Sequence, residues 1–290
     1  MAALAEAQSH AAVIFTTACD QMRRAADAAS ARAGSRLFLF NLPATWQTPA
    51  ARRLYHAEVE RLGRFLERLG GQSPTTDQLA AVIREWDKRR ARLHEFILRA
   101  SARAGAAALA RFFESGSTPP PNPPPPPSPP PQGVPLALVG GPLLPSQWPL
   151  FDAIESARGQ VVLNATEPGE RCLLPLLPNL APGQNPLPLL ADHYFDHCVD
   201  VFPRPNSRLY AWLGHRLAER RVRGVVLWVH VGCDLWRAEA TSLREAFRLP
   251  VLVLEAQDAG GGSLRELNRL AAFVESLQSA PPGNPGDWRR

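Results

Sequence analysis

The chain is nearly devoid of lysine. Of its 32 basic residues Lys88 is the only lysine, and the rest are arginines. Arginine grips phosphates and carboxylates through a planar fork. Here the arginines alternate with acids, as in Arg61, Arg64, Glu67 and Arg68, and do not cluster with aromatics. That is the pattern of solvated helix faces, and the net charge of +5 therefore gives no reason to expect a nucleic-acid partner. Cysteine is also scarce. Cys19, Cys172, Cys198 and Cys233 are widely spaced and form no CxxC. This excludes a disulfide-rich secreted scaffold and offers no zinc ribbon. No run approaches the ~18 apolar residues of a membrane span. The first residues carry Glu6, no lysine or arginine, and an apolar stretch over 11–15 too short for a secretory leader. A cytoplasmic protein with reduced thiols, and no membrane, is expected. GxGxxG, GxxxxGK-S/T and GxSxG are all missing, so the familiar dinucleotide, P-loop and serine-hydrolase fingerprints are excluded.

Proline, by contrast, is abundant. There are 30, and 11 of them fall between Pro119 and Pro131. A polyproline run joins no sheet and continues no helix. It favours an extended, semi-rigid spacer. The expected organisation is a first domain over 1–115, a linker over 116–134 and a second domain over 135–290.

The first half opens on a β-branched apolar run, Val13 to Thr17, which reads as a buried strand. A helix follows over about 21–33, with Asp20 placed to cap it and Gly34 to close it. Leu37 to Phe40 is a second strand. An amphipathic helix is expected over about 49–69, with Leu54, Val59, Leu62, Phe65, Leu66 and Leu69 on one stripe. A further helical pattern opens at Ser73–Thr76 and runs on to about Phe113. In the second half, strands at 136–139, 161–163, 225–229 and 251–254 alternate with helices at about 146–157, 207–221, 235–247 and 264–277. A Pro- and Gly-rich loop over 167–188 leads to a short helical piece around 191–197. Four short buried strands separated by helices indicate a parallel sheet covered on both faces. Ligands of such sheets sit at the carboxyl ends of the strands.

Two cysteines occupy the same station. Cys19 follows the strand ending at Thr17, and Cys233 follows the strand ending near His230. Each precedes an aspartate and then a helix. The positive end of a helix dipole favours the thiolate, which is the metal-binding and nucleophilic form. One such cysteine is most simply a small buried residue under a cap; the matched pair points to a shared function. His193 and His197, four apart, could share a helix face and form a zinc site with His230 and Cys233. Two histidines on a surface helix are the commoner explanation. Cys172 lies in a proline-rich loop and is expected to be incidental. Gly260-Gly261-Gly262 could present N–H groups to an anion, although a flexible turn is the simpler reading.

Taken in order, the residues resemble the 2-hydroxyacyl-CoA dehydratase family, in its smaller D-component type, which includes the related benzoyl-CoA reductase subunits. In the first half the resemblance rests on Thr17 to Arg24, Asn41-Leu42-Pro43, 55–70 and 78–90. In the second half it rests on Leu138 to Pro142, 159–162, Gly169-Glu170-Arg171, 223–226, Cys233-Asp234 with Glu239, Pro250 to Glu255, and Arg269 with Phe273 and Glu275. No single piece is specific; their order and spacing carry the match.

The resemblance implies an α/β fold of two Rossmann-like or flavodoxin-like domains with parallel sheets and flanking helices. It implies a [4Fe-4S] cluster held by three cysteines between the domains, and a heterodimer with a homologous second subunit. It also implies an ATP-dependent iron–sulfur activator protein that supplies one electron. The implied chemistry is reductive radical dehydration, or reduction, of an acyl-CoA thioester through a ketyl radical. Low-potential electron transfer is the cluster's part, and the protein supplies ligands and a dry site. Cys19 and Cys233 match the family's Cys-Asp ligands, and Cys198 falls at a frequent family cysteine. The family's further ligand, a cysteine after Leu-Pro upstream of the first Cys-Asp, has no counterpart after Met1. With two strands expected in the first half against four in the second, the first domain reads as incomplete. Met1 then lies inside a longer ancestral domain, through a late start or a decayed gene. An alternative reading follows: a non-catalytic partner or scaffold subunit that kept the fold and lost the cluster.

Overall fold

In the computed structural model, residues 12–119, 133–167, 169–177, 183–256 and 264–279 are described. Most of the expected linker, the Gly260–Gly262 turn and part of the 167–188 loop lie outside them. The described residues form two compact units that are not contiguous in sequence. The first takes residues up to Trp86 and Pro175–Ser207; the second takes Asp87–Leu174 and everything from Arg208.

The first unit is built on two parallel strands, β1 (Val13–Thr16) and β2 (Leu37–Phe40), joined by helix α1 (Asp20–Ala33). Val13 pairs with Leu37 and Thr16 with Phe40. Small residues on α1, Ala26, Ala29 and Ala33, are buried and allow close packing. Helix α2 (Pro49–Arg68) opens with Thr48 as cap, whose hydroxyl accepts from the Ala51 N–H at 3.1 Å, and with Pro49 in its first turn. Its apolar stripe seats Phe65, 1 % exposed, on Phe38 and Phe40. Burying one such ring stabilises by about 2–3 kcal/mol. Glu58 lies inside this interface and accepts from the Asn41 N–H at 2.7 Å and from Arg61 at 2.6 and 2.9 Å. Helix α3 spans Thr76–Ile97, and its first part belongs to this unit.

The second unit carries a four-stranded, wholly parallel sheet of β3 (Val134–Pro142), β4 (Gly159–Glu167), β5 (Gly224–His230) and β6 (Val251–Ala256), in the order β4-β3-β5-β6. The expected α/β architecture with parallel sheets is thus what the chain adopts. Alternate residues of a strand point to opposite faces. Leu136, Leu138, Val226, Trp228 and Leu254 meet helices α5 (Pro149–Ser156) and α9 (Leu264–Ser279) in one core. Helix α8 (Asp234–Phe247) packs on β5 and β6. Helix α7 (Ser207–Glu219) joins α8 through Tyr210, which stacks on Phe247 and donates to Glu239 at 2.6 Å.

Three expectations are corrected. The helical pattern up to Phe113 is not one helix. It breaks after Ile97, and Ser101 caps a new helix, α4 (Ala102–Ser115), by accepting from the Ala104 N–H at 3.3 Å. The short helix near 191–197 begins earlier, as α6 (Pro186–His197), because Asn185 caps it and proline is tolerated in a first turn. The units also cut across the expected division at 116–134. Leu109 and Phe112 of α4 join Leu93 and Phe96 of α3 in one apolar cluster with Leu173 packed against it, and α4 also packs on β4. These contacts place 87–119 with the four-stranded sheet, while α6 packs on α2 in the first unit. Among the described residues no helix is long and apolar enough to cross a membrane.

Candidate functional site

Cys19 and Cys233 both stand where the strand-to-helix rhythm puts them. After β1, the Thr17 N–H donates to the Phe40 carbonyl at 3.1 Å, and the Thr17 hydroxyl accepts from the Leu42 N–H at 2.9 Å. This pins the strand end beside the loop after β2. Cys19 then takes the cap position of α1 in extended conformation. Its carbonyl accepts the first helical N–H, from Arg23, at 3.2 Å, while its thiol makes no capping bond. In the second unit β5 ends at His230, and Gly232 turns the chain at φ +80°. Cys233 donates its N–H to the His230 carbonyl at 3.0 Å and caps α8 through its own carbonyl, again without a side-chain cap. Both thiols are half-buried and in no disulfide.

Side-chain bonds to backbone carbonyls tie the strand ends around Cys233 together. Arg171, 4 % exposed, donates to the carbonyls of Ala165 and Gly140 at 3.0 and 3.1 Å and lies 4.9 Å from the Trp236 ring centre. His230 donates through Nε2 to the Pro142 carbonyl at 2.7 Å. The Gly169-Glu170-Arg171 and Gly140-Gly141-Pro142 motifs therefore meet at the carboxyl end of the sheet, the end that binds ligands in such folds.

Cys198 is placed differently. It ends α6 in the first unit, is exposed, and donates its N–H to the Tyr194 carbonyl at 3.1 Å. It does not share a unit with Cys233. Cys172 sits in a 3₁₀ turn over Glu170–Cys172 of the second unit. His193 is buried and donates to the Pro175 carbonyl at 2.8 Å, and His197 donates to the His193 carbonyl at 2.9 Å. Those ring nitrogens are committed to backbone oxygens, as is His230 Nε2. The zinc grouping of His193, His197, His230 and Cys233 is not assembled in either unit. Among the described residues no group of three or more His, Cys, Asp or Glu is arranged to hold a metal.

Soft thiolates suit an iron–sulfur cluster, and Cys19 and Cys233 could each offer it one sulfur. The first unit offers Cys19 and Cys198 and the second Cys172 and Cys233. Neither unit alone supplies a complete ligand set.

A feature that the sequence reading missed lies in the first unit. Arg52 on α2 donates to Asp192 at 2.6 Å and, with both Nη atoms, to Asp196 at 2.6 and 3.0 Å. His56, one turn on, donates through Nε2 to Asp192 at 2.8 Å. Arg52 also lies over the Phe195 ring. Two i, i+4 pairs, one basic and one acidic, thus interlock α2 with α6. The Arg52 guanidinium is held above its ordinary range by the hydrogen bond to Asp196 and then that to Asp192. A groove of about 780 Å³ runs beside the network, lined by Trp46, Gln47, Arg53, His56 and Glu60. An imidazole oriented by a carboxylate through one nitrogen keeps the other as an acceptor, which is the arrangement used to move protons.

These carboxylates give the first unit an acid limit. Burial pushes Asp192 up, but hydrogen bonds from Arg52 and His56 outweigh it and hold the group below its ordinary 3.8. Burial likewise pushes Glu58 up, and Arg61 and Asn41 overcome it, leaving the group below 4.5. A depressed folded pKa contributes stability that is present above the unfolded value and lost as pH falls through the folded one. Urea unfolding should therefore show stability falling as pH drops below about 4.5. Glu58→Gln should be about 1–2 kcal/mol weaker at pH 7 and show a shallower acid limb. An unchanged acid limb would refute the assignment.

No curated protein matches the chain. A family model described as 2-hydroxyglutaryl-CoA dehydratase, D-component, matches residues 1–277, which takes in both units and both Cys-Asp stations. The protein belongs to the 2-hydroxyglutaryl-CoA dehydratase D-component family.

Proposed function

We propose that the chain is a D-component-type subunit of an enzyme acting on an acyl-CoA thioester, with Cys19 and Cys233 as ligands of a [4Fe-4S] cluster. The observation that carries this is the repeated station. In each unit a Cys-Asp follows a parallel strand and caps a helix with its thiol left out of the cap. Cys198 is the weaker third ligand, at the end of a helix locked to α2 by Arg52. When bound, the cluster supplies low-potential one-electron transfer, and reductive dehydration of the thioester is the reaction it serves. A homologous second subunit and an ATP-dependent iron–sulfur activator complete the system in this reading.

Anaerobic reconstitution with iron and sulfide tests it. The wild-type chain should turn brown and hold iron and sulfide in equal amounts. Cys19→Ser should stay folded by circular dichroism and lose the colour. Colour that persists in Cys19→Ser removes that ligand. A colourless wild-type chain that still pairs with a homologous subunit would favour the non-catalytic scaffold reading.

A further inference from the structure

Asn164, near the end of β4, is 6 % exposed, and its carboxamide is used on one side only. Oδ1 accepts from the Thr166 N–H at 3.2 Å and from the Thr166 hydroxyl at 2.7 Å. These bonds fix which end of the amide is oxygen. Among the described residues nothing accepts from Nδ2. Trp148 is a second such donor. Its ring is half-buried against the core of the second unit. Its indole N–H likewise meets no acceptor among the described residues. Both side chains line one groove of about 200 Å³.

The groove runs along the last turns of α4, where Ala106 and Ala110 leave space above Leu143. Phe113 and Leu144, 51 % and 43 % exposed, stand at its open side. Glu114 at the rim is exposed, so its carboxylate stays in water. The surface is thus two aromatic rings, an apolar floor and two side-chain donors. That combination selects a ligand. An ordinary extended peptide would bring backbone N–H groups to side chains that are themselves donors, which is costly where water is excluded. A proline run brings carbonyls and no N–H. Its extended helix, three residues per turn, is the form that aromatic-lined grooves hold.

The chain carries such a run, with 11 prolines between Pro119 and Pro131. We infer that the proline run of one copy docks in this groove of a second copy, its carbonyls accepting from Trp148 Nε1 and Asn164 Nδ2. The ends of the run argue for exchange between copies. α4 ends beside the groove, near Leu143 and Thr166 at the carboxyl end of the sheet, whereas Val134, into which the run leads, opens β3 about 30 Å away. A straight run therefore leads away from its own groove. Reciprocal exchange about a two-fold axis closes into a dimer. The site uses no cysteine and does not depend on the acyl-CoA reading.

Light scattering over a range of concentrations, and calorimetric titration with a synthetic peptide of residues 117–132, test it on the full chain. Wild type should dimerise as its concentration rises. A chain with the prolines of 120–131 changed to serine should stay monomeric and bind the peptide saturably. Added to that serine chain, Trp148→Phe keeps a ring and removes the N–H, and should weaken peptide binding about fivefold, the worth of one hydrogen bond. Ala110→Leu, at a half-exposed position, fills the groove and should weaken binding at least as much. Both should leave the circular dichroism unchanged. A peptide with alanine for proline should not bind. No saturable binding by the serine chain, or binding that neither Trp148→Phe nor Ala110→Leu changes, overturns the site. A wild type that stays monomeric while the serine chain binds the peptide overturns the exchange between copies.

Discussion

Gly140→Ala is expected to unfold the second unit, or to weaken it by more than about 4 kcal/mol. Gly140 lies in β3, between β4 and β5, where it pairs with Trp228. Its φ of +138° is one that side chains rarely adopt. A Cβ there would sit 2.0 Å from the Trp228 carbonyl oxygen and 2.9 Å from its carbon. Those atoms are backbone in an inner strand, so nothing flexible can yield. Any shift of Trp228 would also disturb the largest fully buried side chain of the core. The neighbour is the control. At Gly141 a Cβ would meet only His230 Cδ2 at 3.5 Å and Trp236 Cδ1 at 3.9 Å, which is ordinary contact. Gly141→Ala should therefore stay within about 1 kcal/mol of wild type. Urea midpoints of the two variants decide it: equal midpoints would show that the close approach at Gly140 is not what fixes the residue.

That pair of glycines shows what the sequence could and could not convey. Gly140-Gly141 ends a strand, yet none of the phosphate-loop fingerprints is present in the chain. What Gly140 supplies is proximity between β3 and β5. The strands themselves were legible, because a strand buried on both faces is a plain apolar run, as in Val225 to Val229. The break between α3 and α4 was not. No proline or glycine interrupts 97–101, and helical periodicity continues on both sides, so only the cap at Ser101 marks the new start. The grouping of residues into units was also hidden. It depends on which apolar face meets which, and Leu109 of α4 meets Leu93 of α3 where a linear reading puts a boundary downstream.

The site divides in the same way. Cys19 and Cys233 were legible because a strand end, a cap and a helix are local features. The histidines misled: His193 and His197 have ligand spacing, but their nitrogens serve backbone carbonyls, which spacing does not reveal. The Arg52–Asp192–His56 network was missed although its signal was present. Arg52 and His56 are four apart, as are Asp192 and Asp196, so each pair presents like chemistry on one helix face. What the sequence could not supply is that helices well over a hundred residues apart are neighbours.

Arg220→Met should weaken the second unit by about 3–5 kcal/mol, the cost of breaking a buried pair by removing one partner. Arg220, just beyond α7, donates to Glu170 through a parallel fork at 2.6 and 2.7 Å, and to the Val162 carbonyl as well. The two side chains are only 16 % and 11 % exposed. An exposed pair of this kind would be worth less than about 1 kcal/mol, so the prediction turns on burial. Without Arg220, Glu170 keeps among the described residues only the long 3.4 Å bond from the Asn164 N–H, and its charge is largely uncompensated. Removing both charges should restore much of the loss, because an apolar pair carries no desolvation penalty. Arg220→Met with Glu170→Leu is thus expected to be more stable than Arg220→Met alone. A double-mutant cycle in urea measures the coupling directly. If Arg220→Met costs under about 1 kcal/mol, the pair behaves as a surface contact and burial does not decide its worth.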